Sequence, residues 1–136
     1  MSYLKNELSK KSKWSIPKHR YLELVHFCLQ YPEWKKQLRQ MDILRSRQID
    51  SLRGDSNWTD ETSRIAMERV DILNHIRLIE QTCNEADSNL ANYLLTSVTY
   101  GVTFPKMAAQ IDIPCGKDMF YDRRRKFFWI LDKRRG

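Results

Sequence analysis

A seam of apolar residues that recurs at steps of three and four over almost thirty positions is the strongest constraint on this chain's fold. The seam consists of Ile65, Ile72, Ile76, Ile79, Cys83, Ala86, Leu90 and Tyr93, and only Arg69 interrupts it. Because this spacing is close to a heptad, it predicts a long helix with one apolar stripe, which Ala66 and Leu73 widen. Such a stripe packs either antiparallel on another helix of the same chain or on a second chain, and the sequence leaves both arrangements open.

Both ends of this long helix carry local signals. Thr59 is suited to cap its start, and Asp60 and Glu61 place negative charge at the positive end of the helix dipole. Weak helix formers cluster toward the other end, at Thr82, Asn84, Asp87, Ser88 and Asn89. They predict a bend or break before a further helix over residues 90–100.

Two more helices are predicted before the seam. The first follows Ser15-Ile16-Pro17 and carries Tyr21, Leu22, Leu24, Val25, Phe27, Cys28 and Leu29. The second starts at Tyr31-Pro32-Glu33-Trp34, carries Leu38, Met41, Ile49 and Leu52, and ends at residues 53–57. Since the chain has only four glycines and four prolines, we predict an all-α fold of three parts: a basic flexible arm (1–15), a helical body with a hairpin and a long spine helix (16–88), and a C-terminal module (89–136).

The C-terminal module has the sequence features of a helix-turn-helix. Gly101 can end one helix and Thr103 can cap the next. A small core is predicted from Val102, Met107, Ala108, Ile111 and Ile113. This arrangement would leave the final helix, from Lys117 onward, with one face free for a duplex.

On a 3.6-residue period, the inward face of the final helix is predicted to hold Met119, Phe120, Arg123, Phe127, Ile130 and Leu131. The base-edge candidates on the outer face are Lys117, Asp118, Tyr121, Asp122, Arg124 and Arg125. Phosphate contacts are predicted for Lys126, Lys133, Arg134 and Arg135, and Arg123 is either a further phosphate contact or a residue at the edge of the core whose charged end reaches solvent. The DNA-binding set also includes Thr103 and Lys106. The alternative for the run at 123–126 is a solvated basic face. Of the aromatic residues at 127–129, we expect packing rather than base stacking.

The positive charge is concentrated at the two ends of the chain. Residues 1–20 carry six Lys/Arg against one acid, and residues 117–136 carry eight against three, so each end is +5. The net charge is +7, which leaves −3 for the middle. Basic ends around an acidic centre suit a protein that contacts polyphosphate with its ends and a protein partner with its centre. Lys-rich tails that only solubilise the chain are the alternative.

Other functional classes find little support in the sequence. Cys28, Cys83 and Cys115 are far apart and have no ligand spacing with the histidines, so neither a disulfide framework nor a metal site is predicted. No catalytic constellation, Gly-rich phosphate loop, membrane span or signal peptide stands out. We therefore predict a cytoplasmic protein that is not an enzyme and uses no cofactor.

Three stretches resemble the ArpU/RinA-type transcriptional regulators of phages and prophages in Gram-positive bacteria. They are residues 98–104 (VTYGVTF), residues 113–116 (IPCG) and residues 120–131 (FYDRRRKFFWIL). The segment at 27–34 (FCLQYPEW) is similar to the start of those proteins, so the resemblance covers most of the chain. The module also resembles region 4 of sigma-70-type factors, although the turn from Asp112 to Lys117 is longer by one or two residues. The resemblance implies activation of late phage genes, without a cofactor.

These observations favour a sequence-specific DNA-binding regulator in the cytoplasm of a bacterial host. Its expected partners are double-stranded DNA, host RNA polymerase and, in a homodimer, a second copy of the chain. A small-terminase-like DNA-packaging protein also combines a helix-turn-helix with an oligomerising helical body. A third interpretation is a phage interaction protein that binds a host factor. Stoichiometry separates the first two, because a terminase subunit forms a large ring.

Overall fold

The computed structural model describes residues 13–51 and 60–136, and these ranges fold into six helices without a β-strand. The helices are α1 (Lys18–Leu29), α2 (Tyr31–Ser51), α3 (Asp60–Ala86), α4 (Ala91–Tyr100), α5 (Phe104–Ala108) and α6 (Lys117–Arg135). The prediction of an all-α fold is therefore confirmed. The predicted cap at Thr59, the stop at residues 53–57 and the arm up to residue 12 lie outside the described ranges.

The chain divides into two compact units along different lines from those that the sequence suggested. The first unit combines the chain up to Gln30 with Leu78–Gly136, and the second is Tyr31–Arg77. Helix α1 belongs with α4 and α6 because its apolar side chains Tyr21, Leu24 and Cys28 are almost completely buried against them. A body over 16–88 followed by a separate module over 89–136 is thus not the division that the structure shows.

In the second unit, α2 and the first part of α3 run antiparallel. The rings of Trp34 and His75 stack with their centroids 4.9 Å apart, and Arg69 Nε lies 2.9 Å from Asp42 Oδ1. Trp34 precedes Asp42 along α2, whereas its partner His75 follows Arg69 along α3, so the two helices run in opposite directions. Of the two arrangements that the sequence left open, these contacts show the antiparallel packing within one chain.

The helical seam breaks where the weak helix formers predicted it. Helix α3 ends at Ala86, and α4 begins at Ala91. In between, Asp87 Oδ1 accepts hydrogen bonds from the backbone N–H groups of Asn89 (2.9 Å) and Leu90 (3.2 Å). A short carboxylate that binds the backbone ahead of it stabilises a turn in place of a continued helix.

The connection from α4 to α6 only partly follows the predicted helix-turn-helix. Gly101 ends α4 with φ +67°, as expected of a left-handed C-cap, and Thr103 occupies the N-cap position of α5 without a side-chain cap hydrogen bond. Helix α5 is only five residues long, and residues 109–116 separate it from α6, so a helix-turn-helix is not confirmed. In the predicted small core, only Met107 is buried, whereas Ala108 and Ile111 are exposed.

Candidate nucleic-acid interface

Helix α6 buries a different face from the one that its sequence pattern predicted. Its buried residues are Phe120, Tyr121, Arg124, Phe127, Phe128 and Leu131. The inward placement of Phe120, Phe127 and Leu131 is confirmed. The outward placement of Tyr121 and Arg124 is wrong, since each is only 5% exposed, and Met119, expected inside, is 45% exposed.

Arg124 is buried because its polar groups find partners inside the first unit. Its Nε donates to Ser97 Oγ of α4 at 3.1 Å, and its Nη1 donates to the Tyr21 hydroxyl of α1 at 3.3 Å. The guanidinium also lies 5.1 Å from the centre of the Phe128 ring. These contacts offset the free-energy cost of burying the charged guanidinium. Since Arg124 is buried, it is no longer a candidate for base-edge contacts.

Tyr121 is buried for a comparable reason. Its ring packs edge-on against Phe120, and its hydroxyl accepts a hydrogen bond from the backbone N–H of Phe104 at 3.3 Å. Tyr121 therefore fixes the start of α5 on α6. It is a structural residue in this fold, not one that faces a duplex.

The charged residues beside this buried face are held by ion pairs. Arg123 Nε lies 3.2 Å from Asp87 Oδ2, and its guanidinium also contacts the Asp122 carboxylate. Arg125 Nη2 lies 3.9 Å from the other oxygen of Asp122. Asp122 thus pairs with two arginines. Because its carboxylate oxygens are engaged in these ion pairs, it is poorly suited to the predicted role as a base-edge acceptor.

The start of α6 and the nearby α5 keep several of the predicted DNA-binding residues on the surface. Thr103, Lys106, Lys117 and Asp118 are exposed. Helix α5 is held against this end of α6 by Phe104, whose ring centroid lies 5.3 Å from that of Phe120. These four residues remain available to a partner.

The C-terminal half of α6 carries cations with intramolecular contacts. Arg134 forms an ion pair with Glu85, and the Arg135 guanidinium lies 3.8 Å from the centre of the Phe27 ring. Lys133 Nζ lies 4.1 Å from the centre of the Trp129 ring, and Lys126 Nζ lies 5.5 Å from that of Trp14. All four are partly or fully accessible to solvent.

Trp14 is a functional candidate that the sequence reasoning missed. Its ring packs against Trp129 at 5.0 Å with an interplanar angle of 65°, so the end of the predicted flexible arm is docked on α6. Lys13 Nζ lies 4.8 Å from the same Trp14 ring. The presence of one tryptophan in a lysine-rich segment was the available signal. Trp129 thus packs on Trp14 within the chain.

A second contact ties α1 to the same end of α6. Arg20 Nε donates to Asp132 Oδ1 at 2.7 Å, and Arg20 also pairs with Glu23. The hydrogen bond to Asp132 and the one to Glu23 raise the pKa of Arg20 above its ordinary value. Asp132 is therefore engaged by α1 and not by the lysines of α6.

The described residues include no group of His, Cys, Asp and Glu that could hold a metal ion. Burial raises the pKa of the Cys83 thiol to about 12 and that of Cys28 well above its ordinary value. Within the described ranges, no helix combines the length and apolar character needed to cross a membrane.

The chain matches no protein-family model, and the comparisons with curated proteins and solved structures found no similar protein. Its function is therefore inferred from the geometry and the charge of the first unit.

Proposed function

We propose that this protein is a DNA-binding transcription regulator that contacts the duplex with the exposed cations of α6 and of the chain preceding α1. The observation that carries the proposal is the contact between Trp14 and Trp129, which places Lys13 beside the cations of α6. Each end has a net charge of +5. Exposed cations that lie close together attract a polyphosphate and accelerate its association.

The roles of individual residues follow from their exposure. Lys117 and Asp118, at the exposed start of α6, are the remaining candidates for base-edge contacts, with Thr103 and Lys106 beside them. Lys126, Lys133, Arg134 and Arg135 are candidates for phosphate contacts. Arg123 and Arg125 can contribute to the positive potential while they stay paired with Asp122.

The resemblance to ArpU/RinA-type regulators supports the activation of late phage genes as the biological role. In this proposal, residues 21–116, whose net charge is −3, include the surface that contacts host RNA polymerase. A segment with a net negative charge attracts DNA less than the basic ends do.

The proposal is tested in two steps. Genomic fragments that the protein retains are first identified, and the affinity of the protein for labelled duplexes of these sequences is then measured at increasing KCl concentration. We expect the logarithm of affinity to fall with the logarithm of salt concentration with a slope of roughly −4 to −7, because several phosphates are neutralised. Lys36→Gln, at an exposed position in the second unit, should leave the slope unchanged. A slope near zero, or no duplex binding at low salt, would contradict the proposal.

The mass of the protein in solution distinguishes a regulator from a DNA-packaging protein, because the two differ in the number of subunits. A regulator is expected as a monomer or dimer by light scattering, with and without DNA. A large ring would favour DNA packaging over regulation, even if the protein binds DNA.

A further inference from the structure

We propose that Lys13, Lys126 and Lys133, held around the Trp14 and Trp129 rings, form a site for the backbone phosphates of duplex DNA. The site lies on the C-terminal half of α6 and includes the residue before Trp14, away from the exposed start of the helix. This inference rests on the proposed function, because it assigns the phosphate-contacting part of the same surface.

The geometry gathers three ammonium groups around two indole rings. Lys13 Nζ and Lys126 Nζ lie 4.8 Å and 5.5 Å from the centre of the Trp14 ring. Lys133 Nζ lies 4.1 Å from the centre of the Trp129 ring, and the two ring centroids are 5.0 Å apart. The indoles attract the ammonium groups through their π electrons and restrain long, flexible side chains.

Charge balance within the described residues favours an external anion. None of the three lysines forms an ion pair with a described carboxylate. The carboxylates next to them on α6 are engaged elsewhere, since Asp122 pairs with Arg123 and Arg125, and Asp132 pairs with Arg20. Gathering like charges raises their mutual repulsion, and a bound phosphate offsets it.

The arrangement of the rings favours phosphates over unpaired bases. A platform for single-stranded nucleic acid presents open aromatic faces on which bases stack. Here Trp14 and Trp129 are half-buried, pack against each other at 65° and have lysines over their faces. Lys126 and Lys133 are about 10.5 Å apart along the helix axis at 1.5 Å per residue, so they can contact different phosphates.

In this site Trp14 is a positioning residue, because it acts through Lys13 and through its contact with Trp129. Removing the ring should release Lys13 and remove the ring contact of Lys126, while Lys133 keeps its contact with Trp129. The variant should therefore neutralise one to two phosphates fewer than the wild-type protein.

The test compares Lys126→Gln, Lys133→Gln, the double variant and Lys13→Gln, with Lys36→Gln as the matched lysine control. We expect each substitution in the site to make the log–log salt slope shallower by ~0.9, the double variant by ~1.8, and the control to have no effect. Because phosphates carry no sequence information, affinity should fall equally for target and scrambled duplexes.

Trp14→Ala should change the salt slope at least as much as Lys13→Gln, and Trp14→Phe should restore it, with thermal melting used to verify that each variant is folded. If Trp14→Ala and Lys13→Gln leave the slope unchanged, the site does not include the segment before α1.

The outcomes separate this inference from the proposed function. If the wild-type protein binds no duplex, the proposed function fails. If the wild-type protein binds duplex with a steep salt slope and the Lys126→Gln/Lys133→Gln variant keeps that slope, only the site is wrong. If the substitutions weaken binding of a single-stranded oligonucleotide more than binding of the duplex, the surface serves unpaired nucleic acid and the inference is overturned.

Discussion

At the scale of single residues, Arg124 joins three helices of the first unit. From α6 it reaches the Ser97 hydroxyl of α4 and the Tyr21 hydroxyl of α1. Ser97 Oγ in turn donates to the backbone carbonyl of Val102 at 3.0 Å, just beyond the turn at Gly101. The network thereby links the packing of α1 and α6 to the geometry of the α4–α5 turn.

Arg124→Ala should lower the free energy of unfolding by about 2–4 kcal/mol, because it leaves a cavity and deprives buried hydroxyls of a partner. Arg134→Ala is the matched control, and it should cost at most about 1 kcal/mol because its ion pair with Glu85 is solvent-accessible. Urea denaturation measures both. If Arg124→Ala were as stable as the control, the buried network would contribute little to the fold.

The buried thiols predict a loss of stability at high pH. Burial, with a smaller effect of Glu80, raises the pKa of Cys83 to about 12 from 9.0. Above pH 9, the unfolded chain releases the thiol proton while the folded chain keeps it, so the free energy of unfolding should fall as the pH rises from about 9 toward 12. Urea denaturation at several pH values should show a shallower fall for Cys83→Ala. Equal pH dependences for the two proteins would contradict the role of this thiol.

At the scale of helices, the apolar period predicted which segments fold, but not which way α6 faces. The long seam and the break after Ala86 followed from apolar spacing and from weak helix formers. The rotation of α6 did not, because the apolar period gives no reason to place Tyr121 and Arg124 inside. Arg124 and Tyr121 are buried through the hydrogen bonds of their polar tips, and those partners come from segments distant in sequence.

The turn at Gly101 gives a prediction for the link between α4 and α5. Gly101→Ala should cost about 1 kcal/mol, because its φ of +67° strains a residue with a side chain. A steric clash adds nothing, since the nearest atom to the added Cβ, Leu29 Cδ2, would lie 3.7 Å away.

Gly116→Ala is the control for this effect. Gly116 has an ordinary φ of −82°, and an added Cβ would meet nothing within 4 Å. The melting temperature of this variant should therefore stay close to that of the wild type. Equal melting temperatures for the two variants would show that the left-handed turn is not what constrains position 101.

At the scale of the whole molecule, contacts between sequence-distant residues determine the grouping of segments and therefore the charged surface. The pairs Trp14–Trp129 and Arg20–Asp132 each join positions more than 100 residues apart in the first unit. The separate +5 charges of the two ends could be read from the sequence. The contact of Trp14 with α6 could not, because no local pattern encodes it.

Because Trp14 is docked on α6, we predict that the lysines that precede it in the sequence add to DNA binding. Replacing Lys5, Lys10 and Lys11 with Gln should weaken duplex binding and make the salt slope shallower by up to about 2.7, or ~0.9 for each phosphate that is no longer neutralised. The matched control replaces Lys36, Arg39 and Arg47, three exposed cations of α2, with Gln. If only the total charge of the protein governs the interaction, both triple variants should lose affinity equally. A loss confined to the N-terminal variant would instead locate the duplex beside α6, where Trp14 contacts the helix.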